Sequence, residues 1–231
     1  MNFLLAIIAA ASLGVMFTVE STAWFIRSAG LESKTAQIFA VSNQYLYSTR
    51  LFAFIFQFIV ALQIDLQKNQ IFLWGTYLAA FLIALLLHLI IFFSNRFHAT
   101  IWAKFFSTRK IAAIAHYSRL SLPRWRIHNK KLSAKILFST MLLALAVTLP
   151  YFLAYIYSDF RMTFGSIAQV ISFLGAVIII YNVDPQLSQS MDKDNLRYEI
   201  YDYIHGRTWA YFLSFIATLL LFILSKYLYG R

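Results

Sequence analysis

The sequence predicts an all-α, polytopic integral membrane protein: a single transmembrane domain with about six transmembrane helices. Hydrophobic residues make up 61% of the 231 residues and charged residues only 13%. Soluble domains carry about twice that charged share, and a surface that faces hydrocarbon excludes charge. The apolar stretches have the length of spanning helices, and they lack the alternating polarity of barrel strands.

Six stretches are long and apolar enough to be spanning helices. The first has no Lys or Arg before its apolar run, which argues against a cleavable signal peptide. Pro150 falls inside the fourth stretch and predicts a kink there. The predicted spans are residues 2–25, 37–62, 71–93, 136–157, 162–183 and 208–229.

The long connection between helices 3 and 4 is strongly basic. It holds ten of the 20 Lys and Arg residues between Ser94 and Lys135, with no Asp or Glu. The positive-inside rule places it in the cytoplasm, and alternation of the spans then puts both termini outside. Its mixed aromatic and basic residues predict a helix on the membrane surface that contacts anionic lipid headgroups. Because two spans hold it at the membrane, we expect no nucleic-acid partner.

The sequence lacks the motifs of several common kinds of functional site. The chain has no Cys, which excludes disulfides and thiolate sites. It has no phosphate-binding loop and no nucleophile elbow, so we expect neither an ATP motor nor an enzyme. The five His residues have no short pair spacing, and we therefore predict no metal site and no cofactor.

Arg50 is the most unusual charge, because it lies at the middle of the second predicted span. A charge at that depth is costly and needs a partner or a water-filled cavity. Asn43, Arg50 and Gln57 are spaced by seven, so they form one polar stripe on a helix, with Tyr47 beside it. Two interpretations stay open. Arg50 either pairs with a carboxylate that locks the bundle or lines a cavity as a cationic site.

A second pair of charges lies near the cytoplasmic end of the first span. Glu20 and Arg27 are seven residues apart and share one helix face. They fit a pair of side chains that reach toward the membrane interface. Glu20 is also a candidate counter-ion for Arg50 on the neighbouring helix.

The connection between the fifth and sixth spans holds a third candidate pair. Pro185 is expected to end the fifth span, directly after Asp184, and Arg207 is expected to open the sixth. Asp184 and Arg207 then flank one short cytoplasmic connection, where they are close enough to pair. Asp192, Asp194 and Asn195 lack the glycine turn and distal Glu of a calcium loop and are interpreted as a solvated acidic turn.

Small residues are concentrated in the fifth span. Such residues let neighbouring helices approach closely, so we interpret this face as a packing face. Its members are Gly165, Ala168, Ser172, Gly175 and Ala176.

Four short motifs resemble, in the same order, signatures of the Amj family of lipid II flippases, which are alternates to MurJ. The run Glu20–Gly30 resembles a signature with E-T, an aromatic residue and R-x-A-G. Arg50 and Asp65 match an Arg and a downstream Asp. The run Asn182–Ser188 resembles a V-D-P-x-[IL]-S turn, and His205-Gly206-Arg207 resembles the G-R of the last helix.

The resemblance implies a flippase in the bacterial inner membrane that serves peptidoglycan biosynthesis, and hence the cell wall and cell shape. Its substrate would be lipid II, the undecaprenyl-pyrophosphoryl-linked precursor, carried from the cytoplasmic to the outer leaflet. Arg50 and Arg27 are expected to meet the pyrophosphate, and Glu20 and Asp184 to act as counter-ions or gates. The candidate substrate-binding residues are Arg50, Arg27, Glu20, Asn43, Gln57, Asp65, Asp184 and Arg207.

Three alternatives remain at this point. In the first, the protein is a flippase for another polyprenyl-phosphate-linked or anionic lipid. In the second, it is a membrane enzyme that acts on such a lipid, with Asp184, Asp192 and Asp194 holding magnesium. In the third, it is a scaffold whose basic connection recruits a partner. A dry, occluded interior around Arg50 would favour the scaffold.

Overall fold

The computed structural model describes residues 2–28, 35–66, 70–93, 127–192 and 196–229. These residues are helical almost throughout, and the described part contains no β-strand. Six of its helical segments are long and apolar enough to cross a membrane. The predicted all-α class and the six spans are therefore confirmed, and the chain is a multi-pass membrane protein.

The described residues form seven α-helices. A 3₁₀ turn, Ser158–Phe160, precedes the fifth helix, and a π-helical turn, Ile179–Val183, joins it to the sixth. The helices are α1 Asn2–Ser28, α2 Thr35–Asp65, α3 Gln70–Phe93, α4 Lys130–Ile156, α5 Arg161–Ile178, α6 Asp184–Asp192 and α7 Leu196–Tyr229.

Three predicted boundaries were wrong. Helix α4 begins at Lys130, six residues before the predicted span, because Asn129 caps it there. Helix α7 begins at Leu196, so Arg207 lies inside a continuous helix instead of opening one. Pro185 lies in the first turn of α6, where its missing N–H is tolerated, and the π-helical turn carries the chain into that helix.

The predicted surface helix of the basic connection falls on residues 94–126, which lie outside the described residues. Pro150 lies inside α4, which continues to Ile156. Because proline has no N–H, the carbonyl of Ala146 loses its usual helical donor at that turn.

The bundle is assembled around α1, α3, α4 and α7. Helix α1 packs against α2 and α3, α3 packs against α7, and α7 packs against α4. The last contact is very close: a Cβ at Gly206 would lie 2.6 Å from the carbonyl oxygen of Ser133. Helix α5 is peripheral. It packs on α4, and its only buried residue is Gly175.

The two ends of the bundle are marked by two carboxylates. At one end, Asp202 of α7 accepts the backbone N–H groups of His128 and Asn129, at 3.0 and 2.8 Å, just before α4 begins. At the opposite end, Asp65 of α2 pairs with Arg161 of α5. We call these the Asp202 end and the Asp65 end.

Candidate functional site

A groove runs along the outside of the bundle between α2 and α5. Its floor is the surface of α4, at Ala146, Val147 and Tyr151, and its volume is about 610 Å³. Helix α2 contributes Gln57, and α5 contributes the opposite wall. The groove is formed because α5 packs on α4 by one face only, leaving the rest of α5 exposed beside α2.

The walls of the groove are more polar than a lipid-facing surface needs to be. Amide side chains extend from both walls, Gln57 from α2 and Gln169 from α5, and both are exposed. Hydroxyl groups of Ser166 and Ser172 lie along the α5 wall. Polar side chains within a span are expensive in hydrocarbon, so this set indicates a wet groove or a polar ligand.

The Asp65 end of the groove is closed by an ion pair. Arg161 Nη1 donates a hydrogen bond to Asp65 Oδ1 at 2.9 Å, which joins α5 to α2. A second cavity of about 110 Å³ lies beside it, and Asp65, Arg161 and Gly165 are among the residues that line this space. Among the described residues, Arg161 is the one basic side chain that lines these two cavities.

Arg50 lies midway along α2, two helical turns from Gln57 toward the Asp202 end and on the same helix face. Its side chain is exposed, as is that of Asn43 a further seven residues along. Within the described part of the chain, its one recorded partner is the ring of Tyr47, 5.3 Å from Cζ to the ring centroid. The stripe predicted from the sequence is therefore continuous with the groove, because Gln57 belongs to both.

Glu20 and Arg207 form a buried ion pair in the half of the bundle near the Asp202 end. Arg207 Nη2 donates to Glu20 Oε2 across α1 and α7. The guanidinium also donates from Nη1 to Tyr203 Oη at 2.6 Å and from Nε to Tyr211 Oη at 2.9 Å. Arg207 is 2% exposed and Glu20 26%. This network fixes α7 against α1.

His88 extends the same network to α3. Its Nε2 lies 2.7 Å from Ser21 Oγ, its Nδ1 lies 2.8 Å from the carbonyl oxygen of Ala84, and its ring packs on Tyr211 at 4.8 Å between centroids. His88 is fully buried. Three helices are thus held together by polar contacts that hydrocarbon does not weaken.

The structure separates the predicted site residues into two groups. Gln57 lines the groove, Asp65 lines the second cavity beside it, and Asn43 and Arg50 continue the α2 face beyond Gln57. Glu20 and Arg207 belong instead to the buried network, so two candidate pairings are corrected: Glu20 does not pair with Arg50, and Arg207 does not pair with Asp184. In each case helix packing, which a sequence does not reveal, selected the counter-ion.

The two remaining candidates are Asp184 and Arg27. Asp184 begins α6 and is half-buried there, and the side chain of Arg27 lies outside the described residues.

Sequence reasoning missed the α5 wall. Neither Arg161 nor Gln169 was singled out. The small residues were interpreted as packing. Gly175 does approach α4 closely, with its Cβ position 3.1 Å from the carbonyl oxygen of Ser139, whereas a Cβ at Gly165 meets nothing within 4 Å. The other small residues of that set line the groove: Gly165, Ala168, Ser172 and Ala176. Their spacing on the same helix as Gln169 could have indicated a groove along α5.

No group of three or more His, Cys, Asp and Glu side chains that would suit a metal occurs among the described residues. The magnesium hypothesis needs Asp194, which lies outside them, and it stays untested. No family model, curated protein or solved structure matches this chain. The proposals below therefore rest on the geometry and on the motif resemblance described above.

Proposed function

We propose that the protein is a flippase that moves a lipid with an anionic headgroup across the membrane. The groove between α2 and α5 is the observation that carries this proposal. It is lined by amide, hydroxyl and guanidinium groups, and it adjoins the helix face that holds Arg50. A headgroup fits in such a groove while its apolar chain stays in the surrounding bilayer.

Without such a groove, moving an anionic headgroup through the membrane has a large free-energy cost. An isolated ionised group moved from water into an apolar medium costs on the order of tens of kcal/mol. A groove that admits water and offers amide and guanidinium groups replaces much of the lost hydration. Arg161 lines the groove at the Asp65 end, and Arg50 lies beyond it on the α2 face that Gln57 shares. A phosphate that passes along the groove is therefore met by a cation at two depths.

The motif resemblance supports a narrower substrate. It favours undecaprenyl-pyrophosphoryl-linked peptidoglycan precursor, carried to the outer leaflet of a bacterial inner membrane. The distribution of Lys and Arg supports the matching orientation, with the Asp65 end and both termini outside. Anionic headgroups of other lipids are the proposed partners of the basic connection.

Reconstitution tests the general proposal. Vesicles of phosphatidylcholine with and without the protein receive a fluorescent polyprenyl pyrophosphate or a fluorescent phosphatidylcholine, and dithionite then bleaches the label of the outer leaflet. We expect the protein to expose inner-leaflet polyprenyl pyrophosphate to bleaching and to leave phosphatidylcholine protected. Equal protection of both labels, with and without protein, would contradict the proposal.

A cellular experiment tests the narrower substrate. A probe that detects lipid II only in the outer leaflet is applied to cells whose sole candidate flippase is this protein. We expect outer-leaflet lipid II to depend on its expression. If vesicles show transport but cells show no such dependence, the substrate is another anionic lipid.

A further inference from the structure

Arg161 has features that its pairing with Asp65 does not explain. It forms one recorded hydrogen bond within the described part of the chain, from one of its five N–H groups. Its Nε is buried without a hydrogen-bond partner in that same part. A buried donor left unpaired is unfavourable. The guanidinium is therefore placed for a partner that accepts more hydrogen bonds than Asp65 does.

The ion pair is also of a kind in which another anion easily replaces the carboxylate. The side chain of Asp65 is 66% exposed and that of Arg161 is 32% exposed. Exposed, single-point ion pairs contribute little to stability. A phosphate or pyrophosphate group carries more charge and presents several oxygens to the planar guanidinium, which binds such groups in a bidentate way. It is therefore a stronger partner than one exposed carboxylate.

The location of Arg161 adds a second attraction for an anion. It is the first residue of α5, an 18-residue helix whose N-cap, Phe160, supplies no side-chain acceptor. The N-terminus of a helix is the positive end of its dipole and carries unpaired N–H groups. A guanidinium at that point raises the local positive potential further.

The surroundings favour an amphiphile over a free ion. Large apolar side chains are exposed around the same end of the groove, on α2 and α5 and at the residues that directly flank these helices. They are Phe58, Leu66, Phe160 and Met162. An alkyl or polyprenyl chain attached to the phosphate would contact these side chains, which a free phosphate cannot do.

We propose that Arg161 is the anion-binding site at the Asp65 end of the groove, that its ligand is the phosphate or pyrophosphate group of a lipid, and that Asp65 occupies Arg161 until the ligand displaces it. This site rests on the proposed function, since it is where a transported headgroup would arrive at the outer face. Asp65 is then a competitor for the site rather than a ligand-binding residue.

The competition makes an unusual prediction: the two halves of the ion pair have opposite effects. The test measures binding of farnesyl pyrophosphate, farnesol and inorganic pyrophosphate to the purified full-length protein in neutral detergent. Arg161→Gln is expected to weaken binding of farnesyl pyrophosphate by about tenfold or more, the loss typical of a hydrogen-bonded charged partner. Asp65→Asn is expected to strengthen it by up to about fivefold, the equilibrium factor of an exposed ion pair.

The three ligands separate a lipid headgroup from free phosphate. Farnesol is expected to bind without any dependence on Arg161, and inorganic pyrophosphate more weakly than farnesyl pyrophosphate. If inorganic pyrophosphate binds as tightly, the lipid source is wrong. Gln189→Ala, which changes an exposed polar side chain of α6 that lines neither cavity, is the control and is expected to leave binding unchanged.

Two outcomes overturn the site. If Arg161→Gln and Asp65→Asn weaken binding alike, the ion pair is structural; if neither changes it, the ligand binds elsewhere. Should Arg161→Gln fail to fold, Arg161→Lys keeps the charge without the planar fork and is expected to weaken binding partially. If binding depends on Arg161 but the protein transports no lipid, the proposed flippase function is refuted and the binding site stands. If the protein transports lipid but binding does not depend on Arg161, only the proposed binding site is refuted.

Discussion

Two arginines in the spans show how the surroundings of one residue type decide its role. Arg207 is 2% exposed and donates to a carboxylate and two phenol oxygens. Arg50 is exposed on α2 and contacts the ring of Tyr47. The first has its hydrogen-bonding capacity used inside the fold, whereas the second is available to a ligand. We therefore assign stability to Arg207, and under the proposed function we expect Arg50 to contact the transported headgroup.

The stability assignment predicts a large difference between two matched substitutions. Arg207→Gln leaves Glu20 without its counter-ion and is expected to lower the free energy of unfolding by about 3 kcal/mol, the low end for a buried pair because Glu20 is partly exposed. Arg50→Gln is expected to change it by less than about 0.5 kcal/mol, as for exposed positions. Reversible unfolding by SDS in mixed micelles measures both. Equal losses would refute the division of roles.

The transport assignment predicts that Arg50→Ala folds but carries lipid slowly. We expect transport in the vesicle assay to fall by about tenfold, because a phosphate at mid-membrane loses its charged partner. Tyr47→Phe keeps the ring that Arg50 contacts and serves as the control, with transport expected to be unchanged. Full transport by Arg50→Ala would show that Arg50 is dispensable.

At the scale of helices, the contact between α4 and α7 depends on one glycine. A Cβ at Gly206 would lie 2.6 Å from Ser133 O and 3.1 Å from Ile136 Cβ, so one helix would have to shift. We expect Gly206→Ala to lower the free energy of unfolding by about 1–3 kcal/mol, the usual cost of overpacking. Gly75→Ala, where a Cβ meets nothing within 4 Å, is the control and should be neutral or stabilising. A neutral Gly206→Ala would contradict the close approach.

The helices themselves were predictable because hydropathy and length decide which segments span a membrane. The residues at which the helices begin and end were harder to predict. A span predicted from hydropathy ends where a charged residue interrupts the apolar run. Helix α4 nevertheless starts at the charged residue Lys130, and α7 continues through Arg207. The charged side chains are accommodated in different ways: Lys130 is exposed at a bundle end, and Arg207 is paired in the interior.

At the scale of the whole molecule, the sequence predicted the polar α2 stripe but not the groove beside it. Charge in a span is visible in a sequence, so Arg50 and Gln57 were found. The opposite wall depends on how α5 packs on α4, and small residues such as Gly165 suit either a tight helix contact or an open groove. Pairing across helices, as between Glu20 and Arg207, likewise requires the packing to be known.

Gly165 gives the most direct test of the claim that lipid passes along the groove. It lines both cavities, and a Cβ there meets nothing within 4 Å, so the side chain of Gly165→Leu begins in open space and narrows the passage. Gly75→Leu adds the same side chain at an equally open position that lines neither cavity. We predict that Gly165→Leu reduces transport of polyprenyl pyrophosphate in vesicles by about tenfold or more, with Gly75→Leu unchanged. Equal transport by the two variants would contradict passage of the substrate along the groove.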